Sequence, residues 1–192
     1  MKKLLVLFLA LMMCLSFSAC KDKDTDTNAD TGTLVASKLS DDELEQEIRF
    51  LIERNLDCYY LFYVAPLNHT NQQNLDGYYG TNGTFLEDYA ALEDLVFSTY
   101  SKEKATELLK YPSEEKPLYK NSNGSIFVNP DAITPVEYNI LWEDDYTITF
   151  TERTDEKCSF VLNTVDIDSN EYITNGSAVI ENNSWLLSDL VY

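Results

Sequence analysis

Near Pro117 the hydrophobic period of this 192-residue chain changes from that of a helix to that of a strand. Upstream, Leu44, Ile48, Leu51, Ile52, Leu56 and Tyr59 recur at helical spacing, which predicts one apolar stripe on a helix of about five turns. Ser40-Asp41-Asp42-Glu43 fits the capping box, in which serine oxygen and glutamate carboxylate satisfy orphan amides reciprocally. Cys58 to Val64 stays apolar and aromatic until Pro66 stops it. A second helix fits Phe85 to Phe97, with Leu92, Leu95 and Val96 inward. A third fits Lys102 to Lys110, capped by Ser101 and ended by Tyr111-Pro112. Downstream, Leu118-Tyr119-Lys120 and Ser125 to Val128 flank Asn121-Ser122-Asn123-Gly124, a hairpin around an Asn-Gly turn. Tyr138, Ile140 and Trp142 alternate, as do Tyr146, Ile148 and Phe150 after the turn Glu143-Asp144-Asp145. Phe160, Leu162 and Tyr172 continue the pattern, and a last hairpin turns at Asn182-Asn183-Ser184 before Trp185-Leu186-Leu187. Helices first and an antiparallel meander second predict one α+β domain from about Ser40 to Tyr192, with two or three N-terminal helices on a four- to six-stranded antiparallel sheet.

Residues 67–83, LNHTNQQNLDGYYGTNG, read as a long polar connection with a short strand at Tyr78-Tyr79. Connections of this length are often functional. Tyr59, Tyr60, Tyr63, Tyr78 and Tyr79 flank or lie within it, from a total of thirteen tyrosines. Tyrosine covers much contact area at small entropy cost, which suits a partner-binding surface; the same rings also suit the helix–sheet boundary with their hydroxyls wet. The expectation is that partner contact centres here. Replacing the segment with a short Gly-Ser link should then leave the fold largely intact and weaken binding about tenfold.

The N-terminus has its own logic. Lys2 and Lys3 precede the apolar run Leu4 to Leu15, and Phe17-Ser18-Ala19-Cys20 ends it with small residues before a cysteine. This ending resembles the lipobox of bacterial lipoproteins. The resemblance implies cleavage before Cys20, a diacylglyceryl group on its sulfur, and stable anchoring by more than one acyl chain. The apolar run is shorter than the ~20 residues of a spanning helix. Residues 1–19 are therefore expected to be a lipoprotein signal peptide, and residues 20–39 the lipidated Cys20 with a polar, Thr/Asp-rich tether. Residues 40–192 are expected to form the domain, on the extracytoplasmic face of the cell membrane. Without residues 1–19 the chain carries 12 cations against 33 acids, a net charge of −21. Non-specific binding of nucleic acid or anionic lipid needs a basic surface and is excluded; basic partners are favoured.

Cys58 and Cys158 remain in the domain. They can close one long-loop disulfide or lie as two buried thiols, and spacing alone leaves both open. His69 is the only histidine. A Cys58/His69 pair lacks a third group to orient the imidazole, no Gly-x-Ser-x-Gly elbow occurs, and one histidine with scattered cysteines makes no zinc site. Asp166-x-Asp168-x-Asn170 mimics the start of an EF-hand loop, but Glu171 replaces its glycine and Ser177 its closing glutamate. No Gly-rich phosphate loop is present. The expectation is a protein that is not an enzyme, with no cofactor and no metal.

Phe97-Ser98-Thr99-Tyr100-Ser101-Lys102-Glu103-Lys104-Ala105, then Leu118-Tyr119 before the Asn-Gly hairpin, and the closing Ile180-Glu181-Asn182-Asn183-Ser184-Trp185-Leu186 resemble the IseA-type D,L-endopeptidase inhibitor family over roughly residues 85–192. The resemblance implies a cystatin-like domain in a lipoprotein that occludes the active cleft of a cell-wall hydrolase. No inhibitory residue is carried over. The alternative is a small-ligand-binding lipoprotein with a cystatin- or NTF2-like pocket lined by Tyr138, Trp142 and Phe150.

Overall fold

The first helix begins where its cap predicts. In the computed structural model, which describes residues 36–138, 140 and 146–189 and only the backbone of 73–75, α1 (Asp41–Tyr59) starts on Ser40. The Ser40 amide donates to Glu43 Oε2 at 2.7 Å and the Glu43 amide to Ser40 Oγ at 3.3 Å, completing the capping box. Leu44, Ile48, Leu51, Ile52, Cys58 and Tyr59 are buried along one stripe. Cys20, Trp142 and the turn Glu143–Asp145 lie outside the described residues.

The helix ends in an unusual way. Its apolar run continues as a π-helical turn, Tyr60–Val64, closed by the Ala65 amide donating to the Tyr60 carbonyl at 2.8 Å. Ala65 then turns extended and Pro66 follows, so the helix cannot continue. Single π turns are rare and are common at functional sites.

Residues 67–83 prove to be structure and not a bare connection. β1 (His69–Leu75) and β2 (Tyr78–Thr81) form an antiparallel hairpin whose turn needs Gly77 at φ 95°. β2 in turn pairs with β4 (Ser125–Val128), which pairs with β3 (Tyr119–Ser122), giving the sheet order β1-β2-β4-β3. Leu67 and Tyr78 are buried in the fold. The expectation that this segment can be cut to a short link is therefore corrected: β2 is an inner strand, and its removal strips the sheet.

The second helix starts later than its apolar pattern suggests. α2 (Tyr89–Phe97) begins on Asp88, whose carboxylate accepts the Ala91 amide at 2.9 Å. α3 (Lys102–Leu109) begins on Ser101 as predicted. The Asn-Gly hairpin forms with Asn123 at φ 53° and Gly124 at φ 86°, the double positive φ that suits the twist of paired strands.

The remaining strands form a second sheet, the meander β5 (Thr147–Arg153), β6 (Lys157–Val165), β7 (Glu171–Glu181) and β8 (Ser184–Leu187). Alternate residues Cys158, Phe160, Leu162 and Thr164 of β6 are buried, and with Ala178, Trp185 and Leu187 they face the core. Residues 99–101 run parallel to β8: the Leu187 amide donates to Thr99 O at 2.9 Å and the Ser101 amide to Leu187 O at 2.8 Å. That backbone pairing covers an edge that would otherwise stay open. The fold is thus α+β, with three α-helices among the described residues and antiparallel sheets, as expected of a cystatin-like arrangement, except that the β1–β2 hairpin falls between the first and second helices. Its strands divide into two four-stranded sheets instead of one.

One core joins the helices and both sheets, from Leu44 and Phe62 to Val128, Phe160 and Trp185. Folding reaches back before Ser40: the Ala36 amide donates to Asn183 Oδ1 at 3.1 Å, and Trp185 Nε1–H donates to Ala36 O at 3.0 Å. Among the described residues no helix is long and apolar enough to cross a membrane.

Candidate functional site

The π turn and the start of the first hairpin make a surface groove. Tyr60 and Leu61 form one wall; the extended residues 65–68 form its floor; Gly83, Thr84 and Phe85 form the other wall, around a volume of about 340 Å³. None of these nine side chains is charged. Phe85 is 67% exposed and Tyr60 50%, so two large rings stand at the rim with no core role. Exposed aromatic rings beside a concave apolar surface are the usual anchors of a protein contact.

A single buried hydroxyl holds this groove in shape. Tyr119, on β3, donates its O–H to the Leu61 carbonyl at 2.7 Å and accepts the Leu67 amide at 3.1 Å. Burial pushes the Tyr119 phenol well above its usual range, so it stays protonated as this arrangement needs. Its ring also meets Phe62 edge-on at 5.2 Å. The irregular backbone between Leu61 and Leu67 is thereby satisfied from the sheet behind it.

The five tyrosines singled out by sequence do not form one patch. Tyr60 lines the groove. Tyr59 and Tyr78 are buried, the latter donating to Pro117 O at 2.6 Å, so both are packing residues. Tyr63 is half-buried among rings, 5.7 Å from Tyr59 and 4.6 Å from Tyr111. Tyr79 lies against His69 on the first sheet, their rings tilted with centroids 4.8 Å apart. Phe85 is the residue that sequence reading missed. The apolar pattern takes it as the first residue of a helix that in fact begins four residues later, on Asp88; Thr84 before it, with Glu87 three residues on, mimics a cap.

The remaining candidates are occupied elsewhere. Cys58 and Cys158 are free, fully buried thiols, so of the two readings the disulfide is set aside. Cys58 is hydrogen-bonded with Tyr100, whose hydroxyl donates to Asn55 Oδ1 at 2.7 Å, while Cys158 is engaged by the Ala178 backbone across the second sheet. Burial pushes the Cys58 thiol up to about 12 and Cys158 up to about 11, the opposite of an activated nucleophile. His69 Nδ1 lies 2.9 Å from Thr70 O, and its ring is against Tyr79. Asp166 spends one carboxylate oxygen on the amides of Asp168 and Asn170, at 2.9 and 2.8 Å, closing its own β6–β7 turn. The Asn170 side-chain amide, which donates to Asp166 Oδ2 at 2.9 Å, and after it these backbone amides hold the carboxyl below the usual range. Among the described residues no three His, Cys, Asp or Glu side chains converge as metal ligands.

A second groove, of about 260 Å³, lies between Phe50 and Phe97 and is floored by Leu51, Trp185 and Leu186. Two of its lining residues are already engaged by Arg54, which sits over the Phe50 ring at 5.5 Å and bonds Ser98 Oγ. Comparison of the sequence with protein-family models and with curated proteins gives no match.

Proposed function

We propose that this chain is a membrane-anchored extracytoplasmic lipoprotein that binds a cell-wall D,L-endopeptidase and inhibits it, without chemistry of its own. The observation that carries this reading is the Tyr60–Phe85 groove: an uncharged concave surface, rimmed by exposed rings and braced from behind by Tyr119. Rigid support lowers the ordering cost of binding. The net charge of −21 beyond residue 19 suits a partner with a basic surface, which the field of the inhibitor would steer into contact. Cys20, within its lipobox-like setting, is the residue that would carry the anchor.

A small-ligand pocket has less support. Tyr138 packs against the core with its ring 6.2 Å from Tyr59, and Phe150 meets Phe160 edge-on at 6.4 Å. Both rings are used in core contacts. The test is peptidoglycan hydrolysis by a panel of purified D,L-endopeptidases with the full chain added in lipid nanodiscs. The reading expects at least one enzyme to lose its activity at micromolar inhibitor. Unchanged hydrolysis across the panel would reject it.

A further inference from the structure

The charge around the groove points to what it takes. From Asn55 to Ser101 the chain has six carboxylates and no lysine or arginine, and this one stretch supplies every residue that lines the groove. Asp57, one helical turn before Tyr60, is exposed, and so is Glu87, two residues after Phe85. Asp88 is exposed as well, but it caps α2. The nearest cation along α1, Arg54, bonds Ser98 and overlies the Phe50 ring, and its charge also acts on Asp57. The groove therefore has an uncharged lining, with exposed carboxylates on the chain segments to either side of it.

We propose that the Tyr60–Phe85 groove binds an extended segment of a protein partner in which an aromatic or large aliphatic side chain is flanked by lysine or arginine. The apolar side chain would enter between Tyr60 and Phe85 and rest on Pro66 and Leu67. The flanking cations would reach Asp57 on one side and Glu87 on the other, and could also lie on the ring faces. This inference rests on the reading of the groove as the partner site and specifies its ligand chemistry. It also separates the groove from the general acidity of the chain, because it requires the apolar anchor and the cations together.

The experiment uses the full chain in phosphatidylcholine nanodiscs, with empty discs as blank, and fluorescein-labelled pentapeptides read by anisotropy. Lys-Lys-Phe-Lys-Lys is expected to bind about tenfold or more tighter than Lys-Lys-Ser-Lys-Lys and than Glu-Glu-Phe-Glu-Glu. Tyr60→Ser with Phe85→Ser, both at exposed positions, should remove that margin. Asp57→Asn with Glu87→Gln should weaken binding and flatten its dependence on salt. Equal binding of the serine peptide, or full binding by the Tyr60→Ser, Phe85→Ser chain, overturns the inference. Its failure is separable from that of the inhibitor reading. A chain that inhibits an endopeptidase equally well with and without Tyr60 and Phe85 defeats the groove assignment alone. Groove-dependent binding of the phenylalanine peptide, with no endopeptidase inhibited, defeats the inhibitor reading alone.

Discussion

The phenol oxygen of Tyr119 accepts the backbone N–H of Leu67 at 3.1 Å. Through the same hydroxyl it reaches Leu61 O, so one atom of the sheet ties together both sides of an irregular bend. Tyr119→Phe keeps the ring and its edge contact with Phe62 but leaves a buried carbonyl and a buried amide without their partner. The expected cost is about 2 kcal/mol, read as a lower midpoint in urea with unchanged slope. A variant as stable as the parent would show that water or backbone movement replaces the hydroxyl.

The first hairpin is expected to be indispensable. Replacing residues 68–82 with a short Gly-Ser link removes β2, the partner of β4, and with it the buried Tyr78. The product should lose its cooperative thermal transition and its near-ultraviolet circular dichroism. A sharp transition at the parent midpoint would mean that the second sheet and helices fold without the first.

This hairpin also marks where sequence reading stopped. α1 was legible because its stripe and its capping box agree, and the final hairpin because apolar alternation brackets Asn182-Asn183, both at positive φ. β1 carries His-Thr-Asn-Gln-Gln-Asn with no apolar alternation, and its pairing with β2 shifts register twice, so period-based reading sees only polarity. The strand is specified by its neighbour β2 and by the Asp76-Gly77 turn. Of the candidate site, Tyr60 was legible as one tyrosine among five. What distinguishes it is the helix face that the π turn exposes, and no spacing rule encodes that turn. The groove's other ring, Phe85, was concealed by an apolar pattern that runs past the true cap at Asp88.

Both cysteines are expected to be thiols in the folded protein. Iodoacetamide at pH 8 should leave Cys58 and Cys158 unlabelled in the native chain and label both after unfolding without reductant, as read by peptide mass spectrometry. A disulfide would protect them in both states. Their buried thiols also set an alkaline limit. Burial raises Cys58 from its ordinary 9.0 to about 12 and Cys158 to about 11. The native state therefore keeps protons that the unfolded chain gives up. Stability from this source is fully present below about pH 9 and is lost as pH rises through the folded values. The phenols of Tyr100 and Tyr119, also raised by burial, add a fall of the same sign from about pH 10. Urea unfolding from pH 7 to 11 should show the decline, and Cys58→Ala should make it shallower. A flat profile would place these groups in water.

The most direct measurement is the hydrolysis of peptidoglycan by a purified cell-wall D,L-endopeptidase titrated with the full chain in nanodiscs, alongside its Tyr60→Ser, Phe85→Ser counterpart. The account predicts that the parent chain abolishes hydrolysis at a one-to-one end point and that the substituted chain needs about tenfold more to do so. Hydrolysis that proceeds unchanged with the parent chain, across enzymes of this specificity, would contradict it.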